Sequence, residues 1–316
     1  MNTPSSTTLR ETDLESRAGN GEALIRRIRI IAGLSVSALL FWYFGWWVVG
    51  PRDPNGPVTL LTIDNGVIAM AEMLGLAVAA SGLCVAIAGP RCGHLGPLAI
   101  AVGLAVVGLR GGQLDTLIVD RISSGVAQED IFPTTDLIAE TLLWLAVIAV
   151  GLVVGRWVES WFGAQSAQAQ RSRGPVDSAS EIRQGLGATI VIALLAYNVV
   201  RYIGGQENEG VLKGQVYFAL GAGFLASTVL AQWIFRATSR IWCLVAIVLV
   251  TMACYSINGP EESRELAAAA REMVYVNLKP AARPLPIEFA SMGAVGALLG
   301  FSFGYRFQPD PDGMPE

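Results

Sequence analysis

Eight long apolar runs, separated by shorter polar segments, dominate this 316-residue chain. They lie at 29–50, 66–88, 93–110, 136–156, 184–203, 214–235, 241–257 and 287–307. At about 1.5 Å per helical residue, a run of 18 residues covers roughly 27 Å, close to the ~30 Å hydrocarbon core of a bilayer. The runs are too long and too uniformly apolar for barrel strands, whose side chains alternate every second residue. The pattern therefore predicts an all-α integral membrane protein with eight transmembrane helices.

The connectors repeat. Spans two and three are joined by Gly89-Pro90-Arg91-Cys92-Gly93, and spans six and seven by Arg236-Ala237-Thr238-Ser239-Arg240, so each pair reads as an antiparallel hairpin. A long connector follows each hairpin, 111–135 and 258–286. Each holds an amphipathic pattern: Leu114, Leu117, Ile118 and Ile122 in the first, and Leu266, Ala270 and Met273 in the second. Pro260 suits a first helical position there, with Glu261 and Glu262 at the positive end of the helix dipole. Proline then precedes the fourth span of each set, as Pro133 and as Pro284 with Pro286. Gly151 and Gly155 form GxxxG in one fourth span, and Gly296, Gly300 and Gly304 a double GxxxG in the other, ridges that let helices approach closely in lipid.

These features predict two parallel four-helix repeats, 29–156 and 184–307, with two outer amphipathic helices. Residue identity between the halves is poor, and Gly75–Ser81 against Gly221–Ser227 is the best local match. The segment 157–183 reads as a linker, Ala-, Gln- and Ser-rich over 163–180. Trp157 and Trp161 share its first helical face, and Ser178 with Glu181 has capping-box spacing ahead of span five. Residues 1–28 and 308–316 read as polar tails.

Composition agrees with lipid as the solvent: 53% of residues are hydrophobic and 15% charged, and the charges sit between the runs. With the N-terminus cytoplasmic, thirteen basic residues fall inside and nine outside, beginning with Arg26, Arg27 and Arg29 ahead of span one. An inner (cell) membrane of a bacterium, with both termini in the cytoplasm, is the expected location. Two lysines among the 22 basic residues suggest a GC-rich genome. The first 28 residues lack the apolar core of a cleavable signal, so span one is expected to serve as an uncleaved anchor. Most Trp and Tyr residues, among them Tyr202, Tyr217 and Tyr255, fall near span ends as interfacial belts, and Trp144 sits mid-span. Cys84, Cys92, Cys243 and Cys254 form no CxxC pair and read as buried small hydrophobes.

The candidate chemistry is sparse. Glu72 lies about two turns into span two. Asp136 and Glu140 stand at i and i+4 of span four, Glu288 opens span eight, and Arg110 and Arg201 close spans three and five, with Asn198 near Arg201. An ionised side chain within lipid costs roughly 2.5–3.5 kcal/mol on insertion scales, so each needs a partner, an aqueous cavity or a neutral form. One expectation is an outer polar vestibule in which Glu72 or Glu140 pairs with Arg110 or Arg201. The other is snorkelling to headgroups and hydrogen bonds between helices. The sole histidine, His94, makes only a CxH pair with Cys92, too few ligands for zinc. HExxH, GxGxxG after a strand, P-loop and GxSxG motifs are missing.

The sequence thus assigns no catalytic residue, no cofactor and no metal. Its partners are expected to be the lipid bilayer and other membrane protein chains, with no nucleic acid. The leading expectation is a non-enzymatic scaffold or accessory subunit of a membrane assembly. The alternatives are a small-solute or proton-coupled transporter using Glu72 and Glu140, and an enzyme acting on lipid-linked substrates through its acidic outer connectors.

Overall fold

The structure, a computed structural model, describes residues 6–53, 55–63, 65–127, 130–162, 178–203, 212–235, 239–272 and 278–306. All regular elements among them are helical: α1 (Ser6–Leu40), α2 (Gly66–Ala88), α3 (Gly96–Arg110), α4 (Leu114–Ser123), α5 (Thr134–Phe162), α6 (Ser178–Ile203), α7 (Lys213–Phe235), α8 (Ile241–Glu272) and α9 (Pro286–Arg306). Eight of these, all but α4, are long and apolar enough to cross a membrane, over segments close to the eight apolar runs. The polar tail 1–28 is mostly the start of α1, which begins at Ser6; after Pro4 it holds good helix formers and no proline. α6 begins at Ser178, where the capping-box spacing placed it. The linker 163–177 and the tail 308–316 lie outside the described residues.

The helices pack as a double row. One row runs α1–α3–α9–α7 and the other α2–α5–α8–α6, with α1·α2, α3·α5, α9·α8 and α7·α6 as the rungs and α2·α3 and α5·α9 as diagonals. Burial follows this plan: 78% of the apolar window of α3 and 72% of that of α9 is buried, against 22% for α1 and 28% for α6. The long connectors before α2, around α4 and before α9 gather at one end, here the loop-rich end, and the start of α1 and the end of α9 lie at the other.

The glycine ridges set the tightest contacts. Gly151 and Gly155 of α5 lie on the backbone of Gly96-Pro97 and on the Gly93 carbonyl, while Gly296, Gly300 and Gly304 of α9 lie on Gly221, Leu225, Thr228 and Gln232 of α7. A Cβ at Gly155 or Gly296 would collide with backbone rather than with a side chain that can move. A third notch fixes α1. Its last turns pass through a π-helical turn, Phe41–Gly45, and the buried Phe41 ring fills the space a side chain at Gly103 would need. Ser37 donates to the Ala99 carbonyl at 2.7 Å alongside.

Three expectations are corrected. The second amphipathic segment is no separate helix starting at Pro260: α8 runs unbroken from Ile241 to Glu272 with Pro260 inside it. The missing N–H removes a single ladder bond, to Ser256, and Ser256 and Pro260 are both exposed, so that carbonyl is open to solvent or headgroups. α7 and α8, read as a packed hairpin, scarcely touch, because the close approach of α9 to α7 sets them diagonally across the second half. Tyr217 and Tyr255 are buried ties rather than belt residues: their hydroxyls donate to the carbonyls of Ala105 and Pro284 at 3.0 and 2.5 Å. The first amphipathic helix is observed, with Leu114, Leu117 and Ile118 of α4 buried and Asp120 exposed.

Replacing Gly155 by Leu is expected to cost about 1–3 kcal/mol through overpacking. Gly214→Ala, where a Cβ meets nothing within 4 Å, is the control. Thermal unfolding in mild detergent checks this: an unchanged midpoint for Gly155→Leu would contradict the close α5 contact.

Candidate functional site

The chain's polar chemistry concentrates at the loop-rich end, and it is built from carboxylates that helices carry below loops. Glu140 stands on the second turn of α5 and is 2% exposed. The segment between α1 and α2 folds over it. Thr59 Oγ1 donates to Glu140 Oε2 at 2.5 Å, while the Leu60 N–H and the Trp144 indole N–H, one turn further along α5, each donate to Oε1 at 2.9 Å. Thr59 in turn accepts from the Leu61 N–H at 3.2 Å, which closes a 3₁₀ turn at Leu60–Thr62. Three donors on one buried carboxylate satisfy it without a basic residue.

The same segment binds the start of the first long connector. Pro57 and Gly112 form a single parallel bridge, and the Gly112 N–H donates to the Gly56 carbonyl at 2.7 Å. A side chain at Gly112 would collide with the Asn55 carbonyl, so the contact requires glycine. Lys213, the first residue of α7, then caps the two glycines: its Nζ donates to the carbonyls of Gly111 and Gly112 at 2.6 and 2.7 Å. The same ammonium lies 3.3 Å from Glu288 Oε1 on α9, an ion pair whose geometry falls short of an aligned hydrogen bond. Glu288 Oε2 accepts from the Leu285 N–H at 2.9 Å. A continuous line of polar contacts thus runs from α5, through the loop ahead of α2, to α7 and α9.

A second tie closes the other long connector. Glu262, fully buried on α8, accepts from the Lys279 N–H at 2.7 Å, and Lys279 Nζ lies 2.7 Å from Glu261 and 3.5 Å from Glu265. Burial alone would lower the Lys279 ammonium, but the Glu261 hydrogen bond and the charges of Glu265, Glu261 and Glu262 outweigh it and hold it above its ordinary value. This tie is therefore complete below the ordinary lysine range and is lost as pH rises through the raised value. Ser263 accepts from the Phe132 N–H at 3.3 Å, so α8 also holds the segment that leads into α5.

The seven residues proposed as a vestibule do not converge. Glu140 and Glu288 are buried in the ties above, whereas Glu72, Asp136, Asn198 and Arg201 are exposed on the outside of the bundle. Asn198 donates to its own helix at the Leu194 carbonyl, 2.7 Å away. Arg110 is also exposed and meets no carboxylate among the described residues: its guanidinium lies over the rings of Trp42 and Trp46, 4.9 and 4.4 Å from the centroids, and donates to the Trp42 carbonyl at 3.2 Å. Neither Lys213 nor Thr59 is among the candidates the sequence offers, and Glu262, expected at the positive end of a helix dipole, is buried within α8 instead. The available signal was Lys213 itself, one of two lysines, both of which prove to be fasteners.

Among the described residues, no group of three or more His, Cys, Asp or Glu is placed to hold a metal. All four cysteines are buried and free, and the His94 carbonyl accepts from Arg240 at 3.3 Å, linking the short turns of the two halves. No known protein family, curated protein or solved structure matches the chain.

Two mutational outcomes follow from the ties. Lys213→Met strands Glu288 and is expected to cost about 3–5 kcal/mol, of which the double change Lys213→Met with Glu288→Leu recovers most. Unfolding midpoints of the two singles and the double test this, and additive losses would deny the pairing. Glu140→Ala leaves the Thr59, Leu60 and Trp144 donors unpaired and is expected to destabilise by about 1–3 kcal/mol for each donor that water cannot reach. Unfolding midpoints of Glu140→Ala and the unaltered chain in mild detergent check this, and equal midpoints would contradict it.

Proposed function

We propose that the protein is a multi-pass scaffold or accessory subunit of a bacterial inner membrane, with both termini in the cytoplasm and the loop-rich end outside. The observation that carries the scaffold reading is the use made of the buried and part-buried ionisable groups. Glu140, Lys213, Glu288 and Glu262 each engage partners within the protein, and those partners are loops and neighbouring helices. Transporters place polar groups around a shared site near the membrane midplane. Here the polar groups fasten the loop-rich end shut and leave the spans to packing. The orientation rests on the arginine bias, and the eight spanning-length helices support the membrane setting.

We also read the two halves as a duplication. Exchanging α1 with α6, α2 with α7, α3 with α8 and α5 with α9 turns one row of the bundle into the other, read in reverse. The amphipathic end of α8 then corresponds to α4. The matching segments Gly75–Ser81 and Gly221–Ser227 both end on a fully or almost fully buried serine. The glycine ridges depart from the symmetry, since that of α5 packs on α3 and that of α9 on α7.

Two measurements test these readings. In sealed liposomes the full chain is expected to carry no proton or small-solute flux under an imposed pH gradient; a flux abolished by Glu140→Gln would replace the scaffold with a transporter. In cells, a cysteine introduced as Ser124→Cys is expected to react with a membrane-impermeant reagent, and Ser166→Cys only after permeabilisation. The reverse pattern would invert the topology.

A further inference from the structure

Glu72 has no hydrogen bond or ion pair to another described residue, yet it sits six residues inside a spanning helix, about 9 Å from its start. A carboxyl group facing lipid at that depth calls for a partner from outside the bundle. Along the same exposed face of α2 lie Gly75, Ala79, Gly82 and Ala86, spaced three and four apart, the seam of a helix that packs against another helix. Gly75 and Gly82 meet nothing within 4 Å of a built Cβ, so no described helix of the same chain occupies that seam.

The opposite short edge of the double row offers the complement. α6 presents Ile190 and Leu194, 47% and 61% exposed, then Asn198 and Arg201 on a connected outward face. Arg201, like Glu72, makes no bond to another described residue, and it lies at the same loop-rich half. α2 and α6 run in opposite directions through the bundle. In an antiparallel pairing, the register that sets Glu72 beside Arg201 sets Gly75 beside Asn198 and Ala79 beside Leu194, with Ile190 within one residue of Gly82. Large side chains of one helix then meet the small seam of the other, and opposite charges meet at one end.

We propose that the protein associates with itself head to tail, the outward face of α2 in one copy docking antiparallel on the outward face of α6 in the next, with Glu72 paired to Arg201. Such an interface joins two different surfaces, so each copy leaves both a donor and an acceptor edge free and copies extend in a row within the membrane. The proposal rests on the scaffold reading and names a second copy of the chain as its partner.

The test uses the full chain in membranes. Ala79→Cys with Leu194→Cys on one chain is expected to give, on mild oxidation, a covalent ladder of dimers, trimers and higher species; the native cysteines are buried. Neither single cysteine should cross-link. Glu72→Gln and Arg201→Gln are each expected to weaken association about three- to tenfold, the range of hydrogen bonds between membrane helices, and the double variant no more than either single. A monomeric wild type, a dimer formed by Ala79→Cys alone, or additive losses in the double variant would overturn the proposal. A monomer that still binds another membrane chain removes self-docking and leaves the scaffold reading standing. A monomer that instead shows coupled solute flux removes both.

Discussion

Carboxylates held out of water are the constraint on which the loop-rich end depends. Taking an ion out of water costs several kcal/mol unless its hydrogen-bonding positions are filled. Glu140 cannot be filled from α5 alone, since Trp144 supplies one donor and the other two come from Thr59 and Leu60, some eighty positions earlier. Glu288 likewise takes one donor from its own helix start and its countercharge from Lys213. The loops therefore have little freedom: each must lie where a helix-borne carboxylate needs it. The bridge between Pro57 and Gly112 couples the two requirements, because one segment serves Glu140 and supports the glycine carbonyls that Lys213 grips.

Below that end, stability comes from shape. Apolar burial discriminates poorly between helices whose alternative neighbour is lipid, so close backbone approach decides which pairs form. The glycines of α5 and α9 meet backbone directly, and the Phe41 ring enters the Gly103 notch with help from the π-helical turn. The outcome is a core of α3 and α9 with the most exposed apolar faces on α1 and α6. Polar fasteners at one end and glycine contacts along the spans leave the outer faces of α1, α2 and α6 among the surfaces without an internal role. That division suits a protein whose work is to be packed against.

The spans were legible because hydropathy integrates over some twenty residues and tolerates local ambiguity, and α4 was legible from four apolar positions at helical spacing. The site was legible only in part. Glu140 was singled out by its place within span four and Glu288 by its place at the start of span eight, but position along a helix carries no information about direction around it. Glu72, Asp136, Asn198 and Arg201 share the level of Glu140 and face outward. Lys213 was invisible for a related reason: a lysine at a span end is ordinarily a snorkelling residue, and only the fold over Gly111 and Gly112 makes it a part-buried cap. Pro260 misled because its local preference for a helix start was outweighed by a helix already propagating from Ile241.

By itself, then, the sequence determined the place and order of the eight spanning-length apolar segments, the short and long connectors, and the glycines at which backbones meet, because each is written in local composition and spacing. The tertiary structure alone decided which helices are central, which carboxylates are enclosed and by which donors, and which face of α2 remains open. Those outcomes depend on contacts between residues far apart in the chain, such as Thr59 with Glu140 and Gly112 with Lys213, and no local pattern specifies the direction in which a side chain leaves its helix.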